Sequence, residues 1–303
     1  MLKIMVDILE LLIKRHTLWR IGRFLYLKAR CDIPNDMKTN GEEQIFRQLC
    51  AGIIKKETLI FFDIGANVGD WTCLVLRESS EHTFGKGLEI HSFEPVDSTF
   101  QTLKSRIEKH PFKDLVRLVP KALSSEEGTA TMYLTGENVG TNSLYVDIMN
   151  ESTSQIQISK TTIDAYCIRN NIKYIHYIKI DAEGHDMEVL YGARNFFQDQ
   201  KILACQFEYN HRWIYSRHFL KDVFDYAKSI PYSIGKITPR GVEIYKKWHP
   251  ELEKFFEGNY ILIHNDALCL FSIQIGDFDI HNTYCGKSVI ITDVLTASMR
   301  GKN

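Results

Sequence analysis

The stretch Leu59-Ile60-Phe61-Phe62-Asp63-Ile64-Gly65-Ala66-Asn67-Val68-Gly69-Asp70-Trp71-Thr72 constrains the fold of this chain more than any other. Four apolar residues lead into an acid, a loop of small residues follows, and helical spacing begins after it. That pattern predicts strand, tight turn and helix start. Gly65 and Gly69 lack a Cβ, so backbone there can press against a ligand and take dihedrals that other residues avoid. The helix beginning near Val68 turns unpaired N–H groups toward the same point, which favours an anionic group.

Two ligand classes suit such a loop. A dinucleotide fold wants G-x-G-x-x-G, so that a pyrophosphate can lie on the helix end. Here the order is Asp-x-Gly-Ala-Asn-x-Gly, one glycine short and with Asp63 at the strand tip. An acid there repels a diphosphate and suits an ammonium or a sulfonium. S-adenosylmethionine carries both, with one carboxylate for the helix end and a ribose diol. A second strand, Leu88 to Phe93, ends in Glu94, 25 residues past Gly69. A carboxylate so placed can accept both ribose hydroxyls.

The motifs Asp63-Ile64-Gly65-Ala66-Asn67-Val68-Gly69, Phe93-Glu94-Pro95 and Ile178-Lys179-Ile180-Asp181-Ala182-Glu183-Gly184, in that order, resemble the FkbM-type methyltransferases. Gln206 to Asn210 and Asn259-Tyr260-Ile261 are similar to that family's later strands, and the resemblance covers roughly residues 40 to 265. It implies a class I S-adenosylmethionine-dependent enzyme, mostly associated with O-methylation of sugars and other secondary metabolites. It also places the segment of Ser124 near the adenine.

Bulk properties agree. With 303 residues the chain can bury one large core with extensions. A formal net charge of −1 provides no global attraction to nucleic acid, and a flipped-base motif is missing. Seven scattered cysteines without C-x-x-C argue against zinc or a disulfide framework and for reduced, cytoplasmic thiols. No apolar run approaches the ~18–20 residues of a spanning helix, and charges interrupt any signal-like segment at the start.

Residues 1–40 read as a basic accessory helix and linker, 41–266 as the methyltransferase domain and 267–303 as an extension of unknown role. The helix has two readings, one lying on an anionic membrane and one packed on the domain or at a dimer contact; the packed helix is the working expectation. Strands at 59–63, 90–93, 115–119, 174–180 and 202–207, alternating with helices at 68–78 and 97–109, predict an α/β, doubly wound Rossmann-like sheet. Its last strands, 232–237 and 259–263, form by resemblance a reversed edge. Between them, 129–134 reads as a strand returning at 143–146, a hairpin with two equal readings, one offering Asn142 and Ser143 to a substrate and one peripheral with no substrate role. Thr161 to Asp164 has capping-box spacing, with Asp164 structural. Later, 268–275 and 289–291 read as strands.

Methyl transfer from a sulfonium is an in-line displacement, and an aliphatic hydroxyl must lose its proton to act as nucleophile. The expected cofactor contacts are Asp63, Gly65, Ala66, Asn67, Gly69, Glu94, Ser124 and Asp181. The expected catalytic residues are Asp181, Glu183, Glu208 and His211, with Glu208 or His211 as proton acceptor; His185 is a further candidate. The acceptor is a small molecule or glycan. A divalent metal on Asp181, Glu208 and Asn210 is a less favoured variant. Alternatives are a nicotinamide-dependent oxidoreductase and a non-catalytic donor-binding module.

Overall fold

Two strands buried along nearly their whole length, β1 (Leu59–Ile64) and β7 (Ile175–Ile180), set the frame. Burial on both faces belongs to the middle of a sheet covered by helices on each side. The structure is a computed structural model that describes residues 13–32, 36–52, 58–81, 87–136, 140–146 and 154–288. Before β1 come α1 (Arg15–Ala29) and α2 (Glu42–Gly52). After it follow α3 (Asp70–Glu81), β2 (Leu88–Phe93), α4 (Asp97–Glu108) and β3 (Val116–Val119). A short β4 (Ala122–Leu123), β5 (Gly128–Leu134), β6 (Ser154–Thr161) and α5 (Ile163–Arg169) then lead to β7. The remaining elements are α6 (Asp186–Tyr191), α7 (Arg194–Gln198), β8 (Ile202–Tyr209), α8 (Trp213–Ser216), α9 (Leu220–Ala227), β9 (Tyr232–Thr238), β10 (Gly241–Tyr245), β11 (Gly258–His264), β12 (Ile273–Gly276) and β13 (Lys287–Ser288).

The main sheet runs β3-β2-β1-β7-β8-β11-β9-β10-β12-β13. The five strands from β3 to β8 pair in parallel, and β11 runs antiparallel between β8 and β9. This is the doubly wound, mostly parallel sheet with a reversed strand. Sequence order turns back between β1 and β7, the switch point where such sheets bind ligands. The alternation of adjacent side chains splits Phe61 and Phe62 between two cores, one on each face. Each such fully buried ring stabilises the fold by roughly 1.5–3 kcal/mol.

Three features differ from the sequence reading. The reversed strand does not end the sheet: β10, β12 and β13 continue it, with Phe271 and Ile273 buried beneath. β10 returns on β9 through a two-residue turn that the sequence reading passes over, and of the expected strand at 268–275 only the part from Ile273 is extended, Asn265–Leu270 being a 3-10 helix. The antiparallel partner of β5 is β6, whereas Ser143 makes only an isolated bridge to Tyr133. Thr162, not Thr161, caps α5 by accepting from Ala165 N at 3.0 Å, while Asp164 accepts from the backbone of Asn195 and Phe196 at the start of α7. The expected strand at 289–291 lies outside the described residues. Among those described, no helix is long and apolar enough to cross a membrane.

Candidate active site

Strand register assembles the site. Ile64 of β1 is level with Phe93 of β2 and Ile180 of β7, so Gly65, Glu94 and Asp181 leave the sheet side by side. They open a cleft. Its wall combines an apolar stretch, with Val96, Met132 and Leu144 packed together beside Phe93 and Leu123, and the polar residues Asn67, Asp181, Glu183 and His185.

The glycine loop is stitched to β2, because Gly65 N and Ala66 N both donate to the Phe93 carbonyl, at 3.1 and 2.9 Å. Gly65 sits at φ +78°, and a Cβ there would lie 1.9 Å from the Asp181 carbonyl oxygen. Only glycine lets the first loop cross the exit of β7. Gly69, at φ +87°, serves packing instead. Its Cβ would meet Leu103 Cδ1 at 2.5 Å, so it seats α3 on α4 and does not line the cleft.

Glu94 lines the cleft with its two carboxylate oxygens held separately. Oε2 accepts from Asn67 N at 3.0 Å and Oε1 from Val96 N at 2.9 Å. Burial pushes its pKa up to about 7, against the pull of those two N–H groups. Each oxygen keeps lone-pair capacity for a ligand hydroxyl. Asn67, at φ +46°, exposes its backbone N–H to Glu94 and leaves its own Oδ1 buried without a partner.

Asp63 sits one layer behind. It is fully buried, does not line the cleft, and accepts from the Thr72 hydroxyl at 2.6 Å. Thr72 in turn shares a hydrogen bond with Ser92. Asp63 pairs in register with Ser92 and Lys179, so its side chain belongs to a face of the sheet rather than to the space beyond its end. Burial pushes its pKa upward, and Lys179 opposes this. Its Oδ1 is buried and unpartnered. Direct contact of Asp63 with a ligand, expected from the strand-tip position, is therefore replaced by a place behind the loop.

At the ends of β7 and β8 three carboxylates converge. Asp181, Glu183 and Glu208 each bring an oxygen within 4.8 Å of the other two. Two cations answer them: buried Lys179 donates to Asp181 Oδ2 at 2.8 Å, and buried Arg212 donates to Glu183 Oε2 at 2.6 Å. Burial pushes Lys179 down, but Asp181, Asp63 and Glu42 outweigh it and keep it protonated. Burial and the neighbouring Asp181 push Glu183 upward against Arg212, and burial with Asp181 and Glu183 does the same to Glu208. Glu183 holds φ +51°, a left-handed conformation unfavourable for a long side chain. Such a triad can hold a divalent cation, with Glu183 in place of the expected Asn210. Asn210 is engaged elsewhere: its Nδ2 donates to Glu208 and its Oδ1 accepts from Arg212 N.

His185 lines the cleft with both ring nitrogens engaged, to Ser124 Oγ at 3.0 Å and Tyr145 Oη at 2.9 Å. Burial lowers its pKa to about 4, so it is neutral in ordinary buffers. Ser124 reaches the cleft only through this ring and does not line it. The insertion closes over the polar residues. A Cβ on Gly140 would lie 3.5 Å from Asn67 Nδ2, Asn142 Oδ1 accepts from Thr135 N, and the Ser143 hydroxyl donates to the Glu183 carbonyl at 2.8 Å.

Of the residues singled out in the sequence, Gly65, Asn67, Glu94, Asn142, Asp181, Glu183 and His185 share the cleft wall. Asp63, Ala66, Gly69, Ser124, Glu208 and His211 do not, and His211 stands against Tyr215. Glu42 pins α2 to the sheet through Asn40, Gln206 and Asn259. Lys179 and Arg212 are the two site residues that sequence reasoning misses. The first has a visible signal, a lysine inside an otherwise apolar strand; the second has none.

A family model described as the methyltransferase FkbM domain matches residues 63–234, more than half of the chain. No curated protein matches it. Among solved structures the chain is similar to a methyltransferase FkbM from Methylobacillus flagellatus KT, at 18% identity and a TM-score of 0.43, covering 70% of this chain and 45% of that one. The chain thus spans less than half of that protein. It is also similar to a METTL16 methyltransferase domain (9% identity, TM-score 0.42, 74% and 66% covered). A third likeness is to M. capricolum TrmK, solved with S-adenosyl-homocysteine (12% identity, TM-score 0.36, 73% and 67% covered).

Proposed function

Because the chain belongs to the FkbM methyltransferase domain family, we propose that it transfers a methyl group from S-adenosylmethionine to a hydroxyl of a sugar, glycan or related metabolite. The observation that carries this reading is the meeting of Asp181 and Glu183 in the cleft wall with Glu208 beside them, in a cleft whose wall also has an apolar stretch. The residues present fit the donor. Glu94 offers two carboxylate oxygens to a diol, the apolar wall suits a flat base, and the unpartnered Asn67 Oδ1 awaits a donor group. S-adenosylmethionine, when bound, supplies a methyl group on a sulfonium that is already a good leaving group.

The chain's own residues then do two things. Clustered carboxylates favour a cation beside them, and Asp181, half-exposed in the cleft wall, is placed to do so. Glu183 is the proton acceptor for the acceptor hydroxyl: it lines the cleft, and with its pKa pushed up to about 9 by burial and Asp181 it is a strong base in its ionised form, whose share grows as pH rises toward that value. Arg212 fixes the orientation of that carboxylate, and the Gly140–Ser143 segment sheds water from it.

Titration with S-adenosylhomocysteine, alongside a nicotinamide dinucleotide, tests the donor; incubation with labelled S-adenosylmethionine and a pool of glycans tests transfer. Heat with the first ligand and label on a hydroxyl are expected. Heat with the dinucleotide alone moves the chain to the oxidoreductases, and donor binding without transfer to any pool leaves a binding module.

A further inference from the structure

Away from the cleft, α1 is the surface that the fold leaves unexplained. None of its residues is buried. Trp19, Phe24 and Leu25 are 63%, 57% and 60% exposed, and Ile21 is exposed beside them. A Cβ on Gly22 meets no atom within 4 Å, so the middle of the helix stands clear of the body. Its ties are near its C-terminal end: the Tyr26 hydroxyl donates to Glu251 at 2.8 Å, and Arg23 lies 4.8 Å over the Phe256 ring. Just past the helix, Arg30 donates to the Glu251 carbonyl. A helix on a globular protein is ordinarily held by an apolar face turned to the core. Here that anchorage is missing, and exposed apolar residues in a group mark a surface for a partner.

Charge identifies the partner. Arg15, Arg20, Arg23 and Lys28 are interleaved with the apolar residues, and the helix contains no acid, although the chain as a whole carries a net charge of −1. An apolar protein groove would leave those cations to be matched one by one. An anionic bilayer satisfies both residue kinds at once, because arginine stems lie along the acyl boundary while their heads reach the phosphates. We propose that α1 docks this protein on an anionic lipid surface, with Ile21, Phe24 and Leu25, which share the face turned away from Tyr26 and Arg23, entering the bilayer interface and the flanking Arg15 and Arg20 meeting the headgroups. This goes beyond the methyltransferase reading and does not depend on it.

Flotation of the full chain with vesicles tests the proposal, using phosphatidylcholine alone and phosphatidylcholine with roughly 30 mol % phosphatidylserine. Binding to the anionic vesicles is expected to exceed binding to the neutral ones by about tenfold or more and to fall with added salt. The triple variant Ile21→Ala, Phe24→Ala, Leu25→Ala and the double variant Arg15→Glu, Arg20→Glu should each lose roughly tenfold. Both should keep wild-type thermal stability, since the altered side chains touch little of the body. No flotation, equal flotation on neutral vesicles, or variants that float like wild type would overturn it. So would a wild-type dimer in light scattering that the triple variant converts to monomer, since that gives the face to a second copy.

Discussion

Two parts of the site hold their carboxylates by opposite means, one at the end of β2 and one at the ends of β7 and β8. Glu94 is held by backbone: two N–H groups, one from each flanking loop, fix its oxygens and leave no charged partner beside it. Asp181, Glu183 and Glu208 are held by side chains, three acids against the two cations Lys179 and Arg212. A backbone cradle is rigid and suits recognition of a constant group. A set of coupled side-chain charges can shift a proton among its members and suits chemistry. The difference separates binding from turnover, and substitutions in each should expose it.

The largest effect belongs to Glu183. Glu183→Gln keeps the size and the Arg212 contact but removes the base, so kcat should fall by roughly 10²–10⁴ while affinity for S-adenosylhomocysteine changes by less than about threefold. Steady-state kinetics beside calorimetry would show the split. An equal loss in both quantities would make Glu183 a binding group and erase the contrast.

Next comes the pH dependence of stability at Glu94. Its folded pKa, pushed up to about 7 by burial, stands above the ordinary carboxylate value of 4.5. The native state therefore holds this proton more tightly than the unfolded chain does. That stabilisation is complete below about 4.5 and is lost as pH rises through about 7. Relative to Glu94→Gln, the unliganded wild type should lose on the order of 2–3 kcal/mol across that window, read from urea midpoints at matched pH. A flat difference would mean that the cradle satisfies the charged form fully. At pH 8 the same variant should weaken donor binding by about tenfold and leave kcat at saturating donor nearly unchanged, because a lost charge-assisted hydrogen bond acts on recognition alone.

The backbone-held acid is legible in the sequence, and the side-chain-held group is legible only in part. Glu94 follows directly on the strand Leu88–Phe93 and precedes Pro95, so its position beside Gly65 needs only parallel pairing of β1 and β2. Asp63 misleads for a local reason: one residue short of the strand end, it faces Thr72 and Ser92 on a buried face. Asp181 and Glu183 are visible as acids in a strand exit. The pairing of Glu183 with Arg212, 29 residues further on, depends on how the loop after β8 folds back, and no periodicity encodes that. The same holds for α1, whose basic and apolar residues are plain in the sequence while its lack of burial is not.

The smallest effect expected is that of chelation. Three carboxylates within 4.8 Å resemble a divalent-metal site, yet Lys179 and Arg212 already bring two positive charges to them. A metal would have to displace at least one of those contacts and bring its own positive charge up to a buried cation, which is strongly unfavourable. Exhaustive treatment with a chelator should therefore change the transfer rate by less than about twofold. Arg212→Met separates the two accounts of this group. If the arginine orients the base, the variant loses transfer and added magnesium or manganese does not restore it. If it instead occupies a metal position, the variant gains metal affinity and recovers activity when the cation is supplied, and the side-chain-held group would then be a metal centre.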